Sequence, residues 1–147
     1  MNNYIINSNT VALIPIKNKI TRVIELESSF LVNENSMKII ENSCEYFGSS
    51  YLGRHKGTKN LTGINYKSPI IIEETKNIIF FPTNSPRDNN CSWISLNYIN
   101  KYINKNGKIE VIFENGDKYV FDISFGSFDN QYLRATKLES ILRKRKI

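Results

Sequence analysis

The sequence predicts an α+β fold with mostly antiparallel strands in two weakly repeated halves, each ending in a basic helix. Three observations predict it. Short segments are rich in β-branched and aromatic residues, Asn115-Gly116 is a hairpin signal, and apolar residues after Ser127 recur at helical spacing. The 147 residues, 40% of them hydrophobic, suffice to bury a core without disulfides or metals. We therefore expect a single domain over residues 1–147.

Eight segments have the composition of β-strands, and polar segments between them predict loops. The expected strands are 11–16, 21–32, 37–40, 70–72, 78–81, 92–96, 108–113 and 118–123. The expected loops are 17–19, 33–36, 84–90 and 104–107. No linker or low-complexity stretch divides the chain.

The last two expected strands allow a register to be predicted. A two-residue Asn-Gly turn would pair Phe113 with Lys118 and scatter apolar residues over both faces. A three-residue loop at 114–116 pairs Phe113 with Asp117, and a one-residue slip moves every side chain to the other face. We therefore predict the three-residue loop, with Gly116 left-handed in a bulge. Its register gathers six apolar side chains on one face: Ile109, Val111, Phe113, Tyr119, Phe121 and Ile123.

A C-terminal helix is predicted from an N-cap at Ser127 to about Lys144. Its buried stripe should consist of residues spaced by three and four: Phe128, Tyr132, Ala135, Leu138 and Leu142. Its basic residues should lie on a neighbouring, exposed arc: Arg134, Lys137, Lys144 and Arg145.

The two halves of the chain, roughly 4–68 and 69–147, resemble each other weakly. Residues 47–49 match 125–127, both Phe-Gly-Ser, and 38–41 resemble 118–122. Tyr51-Leu52-Gly53-Arg54 matches Tyr132-Leu133-Arg134, so Arg54 and Arg134 occupy matching places beside Tyr-Leu pairs that we expect to be partly packed. The pattern indicates a duplicated unit of several antiparallel strands followed by a basic helix.

The net charge of +6 is concentrated in two segments. Residues 52–67 carry four basic side chains and no acidic one, and residues 134–147 carry six against Glu139. Concentrated positive charge attracts a polyanion, either nucleic acid or an anionic membrane surface. The alternative is a solvated helix face plus a frayed basic tail, and charge by itself does not decide between them.

No catalytic constellation is apparent, so we expect no enzyme, no cofactor and no metal site. His55 is the only histidine, and Cys44, in a segment taken as strand-like, and Cys91 are expected to be buried and inert. No phosphate-binding glycine loop is visible, and we expect no secretory signal and no membrane span. Two cysteines suit a reducing cytoplasm. A small magnesium-dependent nuclease stays open as a third hypothesis, without residues that favour it.

The segment 44–54, Cys-Glu-Tyr-Phe-Gly-Ser-Ser-Tyr-Leu-Gly-Arg, followed by Gly57-Thr58, resembles the ComK family of competence transcription activators of Gram-positive bacteria. Further pieces match in the family's order from about Tyr4 to the end of the last helix: Pro69-Ile70-Ile71, Phe80-Phe81-Pro82-Thr83, Trp93-Ile94-Ser95, and 127–131 leading to Arg134.

The resemblance implies a cytoplasmic, nucleoid-associated activator of DNA-uptake genes. It implies binding to double-stranded promoter DNA at paired A/T-rich boxes, largely through the minor groove, as a homo-oligomer with RNA polymerase as a partner. Longer family members continue into a tail used by an adaptor that delivers the activator to a protease. This sequence stops at Ile147, which puts adaptor recognition, and full activation with it, in question here.

Charge and position predict ten DNA-binding residues: Arg54, His55, Lys56, Lys59, Arg134, Lys137, Arg143, Lys144, Arg145 and Lys146. Arg54 and Arg134 are expected to read a narrow A/T minor groove, because a guanidinium is more weakly hydrated than an ammonium. The terminal cluster at 143–146 is expected to contact phosphates regardless of sequence. The alternative function is a module that binds anionic lipid headgroups or a protein partner through the same helices.

Overall fold

Nine strands, three α-helices and one short 3-10 turn form the part of the chain described by the computed structural model, residues 3–145. In chain order they are β1 (Thr10–Lys17), β2 (Ile20–Glu25), β3 (Ser29–Val32), α1 (Ser36–Tyr46), α2 (Tyr51–Thr62), β4 (Ile70–Glu73), β5 (Ile78–Pro82), β6 (Trp93–Ser95), the 3-10 turn (Leu96–Tyr98), β7 (Ile99–Lys105), β8 (Lys108–Phe113), β9 (Lys118–Phe121) and α3 (Phe125–Lys144).

The strands form two antiparallel sheets, which confirms the predicted α+β class. The larger has the order β3-β2-β1-β6-β5-β4 and the smaller the order β7-β8-β9. Strands from both halves of the sequence thus share one sheet, joined where β1 pairs with β6. The duplication stays a prediction. Of its matched segments, 38–41 lies in helix α1, whereas 118–121 forms strand β9.

Both faces of the six-stranded sheet are buried, which explains its continuous apolar runs. One face, with Phe80 and Trp93, packs with Ile39 and Ile40 of α1. The other face joins the inner face of the three-stranded sheet and the buried stripe of α3 in a single cluster. The molecule is therefore layered, and the outer face of the three-stranded sheet is left to solvent.

The predicted hairpin register is confirmed. The Phe113 amide donates to the Asp117 carbonyl at 2.9 Å, and the Gly116 amide donates to the Phe113 carbonyl at 2.9 Å. Gly116 has φ +91°, the left-handed conformation that the three-residue loop requires. Ile109, Phe113 and the other members of the expected apolar face are buried or half-buried against the core.

Three strand predictions fail. Residues 37–40 were expected as a strand but belong to α1, where the Asn35 side chain accepts a hydrogen bond from the Lys38 amide at 2.7 Å. The buried positions Ser36, Ile39 and Ser43 recur at helical spacing, so the cap and the packing outweigh the β-branched composition. Residues 21–32 split into β2 and β3, and β7 was not foreseen.

Helix α3 begins three residues before the place expected. Ser124, not Ser127, is the N-cap, and its hydroxyl accepts a hydrogen bond from the Ser127 amide at 3.2 Å. The predicted stripe is otherwise confirmed, since Phe128 and the later members are buried and Tyr132 is half-buried. Within residues 3–145, no helix has the length and apolar character needed to cross a membrane.

Candidate nucleic-acid interface

Helix α2 lies on the surface and crosses the β4 edge of the large sheet. The Ser50 hydroxyl caps its start by accepting from the Gly53 amide at 2.9 Å, and Gly63, at φ +80°, ends it. Thr58 is its one buried residue among those described, and its hydroxyl donates to the Pro69 carbonyl at 2.7 Å. The helix therefore covers a sheet edge while leaving most of its own surface to solvent.

The solvent side of α2 carries a ridge of three exposed side chains. Leu52, Lys56 and Lys59 stand four and three residues apart, so they lie on one helix face. Leu52 is 76% exposed. Both lysines were predicted as DNA-binding residues, and the structure leaves both accessible.

Arg54 lies on α2 near α1, and its side chain is not hydrogen-bonded to the protein within residues 3–145. It is half-buried beside Cys44 of α1, and its positive charge opposes the effect of burial on that thiol. Its Nε is buried without a hydrogen-bond partner, and within the described residues its side chain makes no hydrogen bond or ion pair. A buried donor left unpaired costs free energy in the folded state.

His55 lies in a groove beside Tyr51. Its ring lies 6.0 Å from the Tyr51 ring, and it lines an open groove of about 790 Å³. Glu41 and Glu45 of α1 line the same groove, and so do Lys67 and Arg87. The groove therefore carries charges of both signs, and its charge does not rank His55 against the other predicted residues.

Arg134 is held by the protein itself, unlike Arg54. Its Nη1 donates to the Gln131 side-chain oxygen at 2.7 Å, and its Nη2 donates to the Tyr66 carbonyl at 2.6 Å. Burial lowers the pKa of the guanidinium. The expected equivalence of Arg54 and Arg134 therefore does not extend to their contacts.

Gln131 also fastens α3 to its neighbours, and the sequence patterns did not predict this role. We call Gln131 and Arg134, with the carbonyl groups they bind, the clip. Gln131 is 4% exposed, and its Nε2 donates to the Lys67 and Pro82 carbonyls, each at 2.9 Å. It ties α3 to β5 and to the segment between α2 and β4. One feature of the sequence could have indicated its role: Gln131 is a polar residue three positions after Phe128, on the apolar face of the predicted helix.

The contact between α2 and α3 brings the two basic segments together. The Lys137 Nζ reaches the Thr62 carbonyl at 3.5 Å, in the last turn of α2, which also carries Lys59. A cation at a helix C-terminus is favourable, because the carbonyl groups there carry partial negative charge. Charges that are 78 residues apart in sequence thus meet on one surface.

The solvent side of α3 carries a second ridge. Leu133, Lys137 and Lys144 lie on one exposed face at spacings of four and seven. Leu133 is 55% exposed. We call the four exposed lysines of the two ridges the helical basic surface: Lys56, Lys59, Lys137 and Lys144.

The expected packing of the two Tyr-Leu pairs is only half right. Tyr51 and Tyr132 are half-buried, but Leu52 and Leu133 are exposed beside the lysines. The tyrosines face the neighbouring layer, and the next residue along a helix points about 100° away from it.

The end of α3 is exposed. Arg143 pairs with Glu139 at 3.3 Å, a surface ion pair of small energetic weight. Lys144 and Arg145 are exposed, and Lys146 lies outside the described residues.

Both cysteine thiols of residues 3–145 are buried. No group of three or more His, Cys, Asp or Glu side chains there could hold a metal ion. Burial raises the pKa of Cys44 and of Cys91 to about 11 in each case. Both thiols are therefore protonated at neutral pH and poorly nucleophilic.

Fold and surface together define an α+β protein with a basic, helix-built face of the kind that binds a polyanion. Comparison with known proteins makes the assignment specific. The family model described as ComK protein matches residues 1–147. The chain is also 36% identical over 149 residues to the Competence transcription factor of Bacillus subtilis (strain 168), across 99% of this chain and 78% of that protein. The chain belongs to the ComK family. No solved structure matches it significantly.

Proposed function

We propose that this chain is a transcription activator of competence genes that binds A/T-rich double-stranded promoter DNA through the helical basic surface. Membership of the ComK family and the similarity to a competence transcription factor support the proposal that the regulated genes are competence genes. The observation that carries DNA binding is the contact between α2 and α3, which joins two basic segments into one exposed surface.

The two ridges suit a duplex because each presents lysines on a supported helix. Phosphate contacts supply most of the affinity and make it depend on salt, with log K falling by about 0.9 per phosphate neutralised. Each ridge also begins with an exposed leucine, Leu52 or Leu133. Apolar side chains of this kind contact or wedge between bases in many minor-groove complexes.

Preference for A/T-rich DNA is assigned to Arg54 rather than to Arg134. A/T-rich tracts narrow the minor groove, and the enhanced negative potential there favours inserted arginine. The Arg54 side chain makes no hydrogen bond to the protein within residues 3–145, whereas both Nη groups of Arg134 already donate to it. Arg134 is thus a positioning residue that holds α3 against the segment carrying Tyr66.

The remaining partners follow from the family. Paired boxes call for at least two copies of the chain, since protein symmetry mirrors site symmetry. A homo-oligomer on promoter DNA, with RNA polymerase as its partner at the nucleoid, completes the proposal.

The test is a binding titration with matched A/T-rich and G/C-rich duplexes at several salt concentrations. The double variants Lys56→Gln/Lys59→Gln and Lys137→Gln/Lys144→Gln should each reduce the salt slope by about 2, or 0.9 per phosphate contact. The control Lys17→Gln/Lys76→Gln removes the same charge from exposed hairpin ends and should change the slope little. Equal affinity for both duplexes, together with binding to anionic vesicles, would favour the lipid-binding alternative.

A further inference from the structure

The outer face of the three-stranded sheet is a basic surface that the charge pattern of the sequence conceals. Lys101 and Lys105 on β7, Lys108 on β8 and Lys118 on β9 are all exposed. Side chains alternate between the two faces of a strand, so residues that face the core stand between these lysines in the sequence. The lysines therefore form no continuous basic run. Pairing of the strands gathers them on one face.

The register arranges this face in three cross-strand rows. Ile112 stands between Lys101 and Lys118 in the first row, and Lys105 lies opposite Lys108 in the third. The middle row consists of Ile103, Glu110 and Val120, whose two apolar members are 43% and 51% exposed. We call these eight residues the sheet face.

The positive charge of the sheet face is not balanced within it. Glu110 is the one carboxylate of the sheet face, and its Oε2 forms an ion pair with the Lys105 Nζ at 3.1 Å. Lys108 is then left opposite another lysine, an arrangement that destabilises a strand pair. The acidic residues closest in sequence lie at the two ends of the sheet: Glu114 and Asp117 at the hairpin turn, and exposed Asp122 directly after β9.

The fold does not require lysines at these positions. The opposite face of the sheet carries the core residues, including Ile109, Val111 and Phe113, and packs with α3. Any polar residues of mixed sign would keep the outer face soluble. A face that carries four cations, one anion and exposed apolar side chains complements a polyanion with an apolar interior.

We propose that the sheet face is a second surface for duplex DNA, separate from the helical basic surface. Its outer lysine rows lie four residues apart, about 13 Å along the strands at ~3.3 Å per residue. Flexible lysines at that separation can reach the phosphates on both sides of one groove, which is about 6 to 12 Å wide. Ile103 and Val120 then face the groove between them, as strands do in β-sheet readers of DNA.

The two surfaces lie on different elements of the chain. The sheet's inner face belongs to the same buried cluster as the stripe of α3, whereas the lysines of the two surfaces are exposed on β7 to β9 and on α2 and α3. The proposal is therefore that one chain holds two separate short duplexes. The choice of DNA as the ligand rests on the proposed function. The position of the surface rests only on the strand register and the exposure of its side chains.

The experiment counts short duplexes bound per chain. A duplex of about 12 base pairs spans little more than one helical turn. At low salt the wild type should bind two such duplexes per chain in calorimetry and sedimentation. The variant Lys101→Gln/Lys105→Gln/Lys108→Gln/Lys118→Gln should bind one, and circular dichroism should show that it remains folded. The second binding step in the wild type should have a salt slope of up to about 3.6, from four phosphates at 0.9 each.

The control carries the same loss of charge elsewhere, at the exposed residues Lys17, Lys19, Lys38 and Lys76, each changed to Gln. It should still bind two duplexes. A sheet-face variant that also binds two, or a wild type that binds only one, overturns the second surface. Loss of vesicle binding by the sheet-face variant, with its duplex count unchanged, also overturns it. If only the helical double variants lose duplexes, the proposed function stands and the second surface fails. If no duplex binds the wild type, both fail.

Discussion

Helices α2 and α3 carry the two basic segments of the sequence, yet they serve the fold in different ways. Helix α3 buries five residues, including Phe128 and Gln131, in the main core. Helix α2 buries only Thr58 among the described residues and contains two glycines. One arginine on each helix follows the same Tyr-Leu pattern, but Arg134 is bonded to the protein and Arg54 is not.

The comparison shows that charge in a sequence does not identify the side chains available to a partner. A basic residue on a core helix is often used to fasten neighbouring segments, because the helix brings it close to loop carbonyls. A basic residue on a surface helix retains its donors. The proposed partner binding by Arg54 on α2 and the packing of α3 into the core lead to four predictions.

The largest expected effect is on the core side of α3. Phe128→Ala should lower the free energy of unfolding by about 3–5 kcal/mol, because it removes a fully buried ring and leaves a cavity. That ring lies 5.6 Å from the Phe81 ring and 4.9 Å from the Tyr102 ring. Urea unfolding measures the change. The counterpart on α2, Thr58→Val, leaves the buried Pro69 carbonyl without its side-chain donor and should cost only about 1–3 kcal/mol. Equal losses would contradict the division between a core helix and a surface helix.

The clip on α3 should give the next largest effect. Gln131→Ala leaves the buried Pro82 carbonyl without its side-chain donor and removes the acceptor for Arg134, so we expect a loss of about 1–3 kcal/mol in unfolding free energy. Arg134→Ala should follow in the same direction with a smaller loss, and the A/T preference should persist wherever the variant is folded. A stable Arg134→Ala protein with a relaxed A/T preference would return Arg134 to the DNA-reading role.

Arg54→Ala should have the opposite signature. Since Arg54 makes no side-chain hydrogen bond among the described residues, the free energy of unfolding should change little. Affinity for an A/T-rich duplex should fall by roughly 1–3 kcal/mol, and the preference over a G/C-rich duplex should narrow. Arg54→Lys is the matched control, because it keeps the charge but loses the planar fork. Wild-type affinity and selectivity in folded Arg54→Ala would remove Arg54 from the site.

Local patterns predicted the fold well wherever a single element decided the outcome. The 108–113 and 118–123 strands, the loop between them and the stripe of α3 are set by periodicity and by one glycine, Gly116. Helix α1 was missed because Ile39 and Ile40 favour strands in isolation, whereas the Asn35 cap and burial against the sheet decide the element.

The candidate site was predictable in composition but not in arrangement. Lys56 and Lys137 were identified from charge, since exposed lysines on a helix remain available. The Gln131 clip and the sheet face depend on contacts between distant parts of the chain, which no local pattern contains. The lysines of the sheet face lie outside the two basic segments of the sequence, because strand pairing and not sequence proximity brings them together.

The smallest expected effect tests whether α2 is only weakly held as a helix. Gly57 lies inside α2 with ordinary helical backbone, and a Cβ there would meet nothing within 4 Å. Gly57→Ala should therefore raise the free energy of unfolding by about 0.5–1 kcal/mol, because glycine loses more backbone freedom on folding than alanine does. Gly53→Ala is the matched contrast on the same helix. Its Cβ would lie 3.0 Å from the Ser49 hydroxyl and 3.1 Å from the Ser50 hydroxyl that caps the helix, so the gain should vanish or reverse. Thermal unfolding of both variants measures the difference, and equal gains would show that the Ser50 cap does not restrain the start of α2.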